Sequence, residues 1–105
     1  MGTRARRKPE RLSEKLLNVR IALGDSQNGL IRRLGLTDEL TQSDISAFER
    51  GTREPPLDIL LKYSELARVW VNTLIDDAMD LPEDIPCDRM REGVRRKSLN
   101  RPTRR

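Results

Sequence analysis

The apolar residues of this chain recur at helical spacing in short runs, and a glycine or proline closes nearly every run. Leu12, Leu16, Val19 and Leu23 stand at i, i+4, i+7 and i+11, one stripe of an amphipathic helix. Gly24 follows where a left-handed cap is favoured. Ser26 can then open a second helix over 27–34, because its hydroxyl accepts from a free backbone N–H of the first turn. That helix has Leu30, Ile31 and Leu34 as its apolar positions and stops at Gly35. Gly29 within it costs about 1 kcal/mol against alanine, so the helix depends on packing. After a connector at 36–40, Thr41 with Asp44 three residues on approximates a capping box. A third helix over 42–50 follows, with Ile45 and Phe48 inward and Gly51 at its end. A turn over 52–56 leads to a fourth helix marked by Leu57, Leu60, Leu61, Ser64 and Leu66, ending near Arg68. A fifth covers about 71–79 with Leu74 and Ile75 inward. The class is all-α with five helices.

Only 35% of the 105 residues are apolar and 3% aromatic, which supports one small helical domain with solvated ends. Charge divides the chain more sharply than hydropathy does. Residues 1–11 carry five basic groups against Glu10, and residues 87–105 carry eight against Asp88 and Glu92. Residues 12–86 carry eight basic and fourteen acidic groups. We therefore expect a flexible basic arm over 1–11, a domain over 12–80 and a basic extension over 81–105, with a short helix at about 87–98 supported by Met90 and Val94. Basic arms find polyanions. The acidic run Asp76, Asp77, Asp80, Glu83, Asp84 reads as a solvated linker.

Histidine is absent, which excludes His-based metal sites and Ser-His or Cys-His catalysis. There is no phosphate loop and no nucleophile-base pair, so no enzyme, cofactor or metal is expected. One cysteine, Cys87, with no apolar leader or membrane-length run implies a reducing cytoplasm.

The central string is Ser26-Gln27, Leu30, Leu34-Gly35, Ile45, Phe48, Glu49-Arg50-Gly51 and Glu54-Pro55. It resembles the Cro- and phage-repressor-type (XRE) helix-turn-helix family over about residues 12–78. The resemblance implies a five-helix lambda-repressor-like domain that places the helix at about 41–50 in the major groove of double-stranded DNA. It implies that Gln27 touches a phosphate. It also implies a structural ion pair between Arg20 and Glu49 that ties the first helix to the third. On that helix the expected base-reading face is Gln42, Ser43, Ser46 and Ala47. Gln42 is long enough to bond adenine at two points, Ser43 can donate or accept, and Ala47 suits a thymine methyl. Thr41 and Gln27 stand at helix N-termini that suit phosphate, and Arg53, Arg50 and Arg32 are further phosphate candidates.

The chain departs from the family in four places. The connector before the third helix is about four residues longer than usual. Ile31 stands where the family carries alanine, so the second and third helices should be pushed apart. Asp25 replaces an apolar residue, removing a hydrophobic staple, and Asp44 either caps the helix or accepts from cytosine N4.

The leading expectation is a sequence-specific transcriptional regulator, a nucleoid-associated homodimer, with the fifth helix, Trp70 and 85–99 as candidate dimer elements. The alternatives are an antitoxin-like or accessory protein-interaction module whose C-terminal extension meets a protein partner, and a nonspecific nucleic-acid binder driven by its arms.

Overall fold

The computed structural model describes residues 9–87. Among these the chain forms α1 (Leu12–Leu23), α2 (Gln27–Leu34), α3 (Gln42–Arg50), α4 (Leu57–Ala67) and α5 (Val71–Ile75), with no strand. α1, α2 and α3 each end on a glycine in the left-handed region. At Gly51 (φ 80°) the need is double, since a Cβ there would also lie 3.3 Å from the Ser13 hydroxyl of α1. The core gathers Leu12, Leu16, Val19 and Leu23 of α1, Leu30, Ile31 and Leu34 of α2, and Ile45 and Phe48 of α3. Leu60 and Tyr63 of α4 and Leu74 of α5 complete it.

The long connector is structured rather than slack. The Glu39 and Leu40 N–H groups donate to the Leu36 carbonyl, giving one more turn, and Leu36 and Leu40 are both buried in the core. Only Thr37, Asp38 and Glu39 are exposed at its tip. Ile31 is buried against the same core. Asp25 makes no staple; its carboxylate takes two bonds from Arg33, at 2.6 and 3.0 Å, bracing the start of α2 against its last turn.

The acidic run at 76–80 is part of the fold rather than a solvated linker. α1 has no side-chain cap of its own. Instead the Asp77 carboxylate, more than sixty residues away, accepts from the Glu10 and Arg11 backbone N–H groups at 2.9 and 3.0 Å. Arg11 also donates to the Asp77 carbonyl and the Asp80 carboxylate. In return, the buried Lys15 of α1 (1% exposed) donates to the carbonyls of Thr73, Asp76 and Met79 at 2.7–2.9 Å. Each end caps the other: a carboxylate at the positive end of α1, and an ammonium at the negative end of α5. Arg11, assigned to a flexible arm from the sequence, is thus tied down. Ile85, assigned to the extension, is buried in the core.

α5 stops at Ile75, short of the expected 79. The Asp76 carboxylate accepts from the Ala78 N–H, a local turn that competes with continuing the helix. Ile75 is exposed rather than inward, as are Leu57, Leu61 and Trp70. The expected helix at 87–98 lies outside the described residues except for Cys87, as do residues 1–8 of the arm.

The Glu10 and Arg11 N–H groups, in that order of effect, hold the Asp77 carboxyl below its ordinary range. A carboxyl depressed on folding adds stability above its unfolded pKa, and that stability is lost as pH falls through the folded value. The melting midpoint should therefore drop below about pH 4, and Asp77→Asn should fall short of the parent at neutral pH but converge with it near about pH 2. A gap that stays constant across a pH series of melts would overturn this.

Candidate nucleic-acid interface

α3 is held on both flanks, and its remaining side is polar. On the flank facing α1, Arg20 Nε donates to Glu49 Oε2 at 2.7 Å and Arg20 Nη2 to Oε1 at 3.0 Å. The Glu49 side chain is only 6% exposed, and the pairing raises the Arg20 pKa, opposed by partial burial. Arg20 also donates to the Asp25 carbonyl, so one guanidinium fixes the α1–α2 turn and α3 together. Tyr63 is fully buried, and burial, followed by the Glu49 charge, pushes its phenol pKa up.

On the opposite flank Asp44 completes a reciprocal cap. Thr41 Oγ1 accepts from the Asp44 N–H, and Asp44 Oδ2 accepts from the Thr41 N–H at 2.9 Å. Asp44 Oδ1 accepts from Arg53, whose guanidinium also lies 5.2 Å from the Phe48 ring centre. The Thr41 N–H, followed by Arg53, lowers the Asp44 pKa. Both carboxylate oxygens are engaged within the chain, which favours the capping role for Asp44 over cytosine reading.

Between these flanks, Gln27, Gln42, Ser43, Ser46 and Arg50 line an open cleft of about 220 Å3. Gln27 and Gln42 come from different helices and meet there. Gln27 Nε2 donates to Glu49 Oε1 at 3.0 Å, and Gln42 Nε2 donates to Gln27 Oε1 at 3.2 Å. The buried ion pair is thereby linked through one amide to the first residue of α3. Arg50 donates to the Ser46 hydroxyl one turn back.

Five of the residues singled out from the sequence, Gln27, Gln42, Ser43, Ser46 and Arg50, share this cleft. Gln42, Ser43, Thr41 and Arg50 are exposed, and Ser46 and Gln27 are half-buried. Ala47 is a correction: it is buried (8% exposed), not on the outer face, and it stands in the last turn of α3 where the chain reverses after Gly51. The Thr52 and Arg53 N–H groups both return to the Ala47 carbonyl. Arg53 is exposed but turned back onto Asp44, and Arg32 is exposed on α2 outside the cleft lining. The link from Gln27 to Glu49 and the Arg33–Asp25 pair were missed in the sequence, although Asp25 and Arg33, eight apart across one helix start, were the visible signal for the second.

No protein-family model, curated protein or solved structure matches this chain. Among the described residues no helix is long and apolar enough to cross a membrane.

Proposed function

We propose that the protein is a sequence-specific DNA-binding regulator of the helix-turn-helix type, similar to the Cro- and phage-repressor family, with α2 and α3 as the helix pair and α3 entering the major groove. The observation that carries this reading is the cleft face of α3. Gln42, Ser43 and Ser46 are short or amide side chains in one register, on a helix whose flanks are fixed by ion pairs. A merely solvated helix face has no need of such fixing, whereas base reading requires side chains held to a fraction of an ångström. Gln42, already oriented through Gln27, presents its carboxamide to adenine, and Ser43 and Ser46 can donate or accept at neighbouring base edges. Arg50, Arg53 and the N–H groups near Thr41 and Gln27 serve the phosphates, and Arg53 must leave Asp44 to do so. The domain is acidic, so the basic segments at the two ends of the chain supply much of the long-range attraction. A helix of nine residues makes few contacts, and binding as a homodimer on a two-fold site adds the rest.

Selection of bound duplexes from a random DNA pool tests this. A motif should emerge at moderate salt, and Gln42→Ala should relax preference at one base position, worth about 1–3 kcal/mol of discrimination. Uniform weakening across sequences, or no motif, would sink base reading. Removing residues 1–8 and 88–105, which spares the clamp at Glu10, should keep the preference while lowering affinity and its salt slope.

A further inference from the structure

α4 carries an apolar edge that the rest of the fold leaves uncovered. Leu57 is 81% and Leu61 50% exposed, one turn apart on the same side of the helix. Beside Leu57 lies a groove of about 600 Å3 lined by Pro9, Pro55, Pro56, Leu57, Leu60 and Ile75, with Glu54 as its one charged side chain. The apolar surface thus runs from α4 onto α5. The core does not need it, since α4 faces inward with Ile59, Leu60, Tyr63, Ser64 and Ala67. Contiguous apolar surface of this kind marks a contact site.

The charges next to this edge identify the occupant. Asp58 and Lys62 follow Leu57 and Leu61 by one residue each, so they flank the apolar edge on one side at the same one-turn spacing. A two-fold axis across the middle of this stretch runs two copies of α4 antiparallel. Residue i of one copy then meets residue j of the other, and j meets i. Leu57 of each copy faces Leu61 of the other, and on the flank Asp58 of each faces Lys62 of the other. The same operation thus matches apolar to apolar and negative to positive, twice over. Neither Asp58 nor Lys62 forms an ion pair within the chain among the described residues. The groove beside Leu57 leaves room for the incoming Leu61.

We infer that the Leu57–Leu61 edge of α4 is a self-association surface, on which a second copy of this chain docks antiparallel with reciprocal Asp58–Lys62 pairs. This assigns the contact to α4 rather than to Trp70 or 85–99, and it does not depend on the DNA-binding reading.

Sedimentation of the full chain without DNA tests it. The parent should form a dimer as concentration rises, and Leu57→Ser with Leu61→Ser should raise the dissociation constant at least about tenfold. Both positions are exposed, so at concentrations where parent and variant are both monomeric the far-UV circular dichroism and the melting midpoint should match. Asp58→Lys alone and Lys62→Asp alone should each weaken the dimer by about tenfold, since each turns two attractions into repulsions, more so at low salt. Asp58→Lys combined with Lys62→Asp should restore it. A parent that stays monomeric, a dimer indifferent to the leucines, or single reversals that the double variant does not rescue would each overturn the assignment. A parent that stays monomeric would also remove the homodimer from the DNA-binding reading, but the base preference at Gln42 is read out separately, so the two readings fail distinguishably.

Discussion

Glu49→Ala should lower the unfolding free energy by about 3–5 kcal/mol, because it leaves the Arg20 guanidinium partly buried with no counter-charge. The cost comes less from the lost bonds than from that stranded charge. For a domain of this size each kcal/mol moves the midpoint by about 4–8 °C, so the melt should shift by more than about 12 °C. A double-mutant cycle separates the causes. Arg20→Ala made on top of Glu49→Ala should cost little more and can recover stability, since it removes the charge that the first change stranded. The same variant should disorder the Gln27–Gln42 contact, because Gln27 donates to the carboxylate that is lost. An unchanged midpoint for Glu49→Ala, or simple additivity in the cycle, would refute the account.

Lys15→Met should cost about 3 kcal/mol or more, although methionine fills much of the same apolar stem. All three ammonium protons are directed at carbonyls, those of Thr73, Asp76 and Met79. Burial, followed by the Arg11 charge, lowers the Lys15 pKa, so the cation depends on those dipoles and on the nearby Asp77, Asp76 and Asp80 charges. A thioether offers them nothing, and buried acceptors without donors cost about 1–3 kcal/mol each before the loop relaxes toward water. Urea unfolding measures the loss, and hydrogen exchange locates it. Amides at 76–79 and at Glu10 and Arg11 should exchange faster together, because the two caps are reciprocal. A loss under about 1 kcal/mol, or exchange changes confined to α5, would contradict the clamp.

The features legible in the sequence were local ones. Gly24, Gly35 and Gly51 mark the ends of α1, α2 and α3, and Ser26 and Thr41 mark the starts of α2 and α3, because capping is settled within four residues of chain. The Thr41–Asp44 cap followed from the same logic. What was not legible depended on partners distant in sequence. Nothing near Asp77 indicates that its carboxylate caps a helix beginning at residue 12. Leu57 and Leu61 sit in an apolar series with Leu60, and spacing alone does not say which edge of the stripe has a neighbour. Ala47 was misplaced because a helical wheel treats α3 as isolated and takes no account of the neighbours that leave it buried in the fold. The cleft residues fared better: a face defined by being polar needs no partner to be recognised.

The reciprocal clamp has a consequence for how the chain emerges from a ribosome. α1 is made first, yet its first turn is completed only by a residue more than sixty positions later. Closing so long a loop is slow relative to forming a helix turn. During synthesis Glu10, Arg11 and the first turn of α1 should therefore remain frayed until the acidic stretch at 76–80 has cleared the exit tunnel. The last part of the domain to be made would thus fix the first, and a chain cut short before residue 77 would keep its central helices while its leading end stayed open.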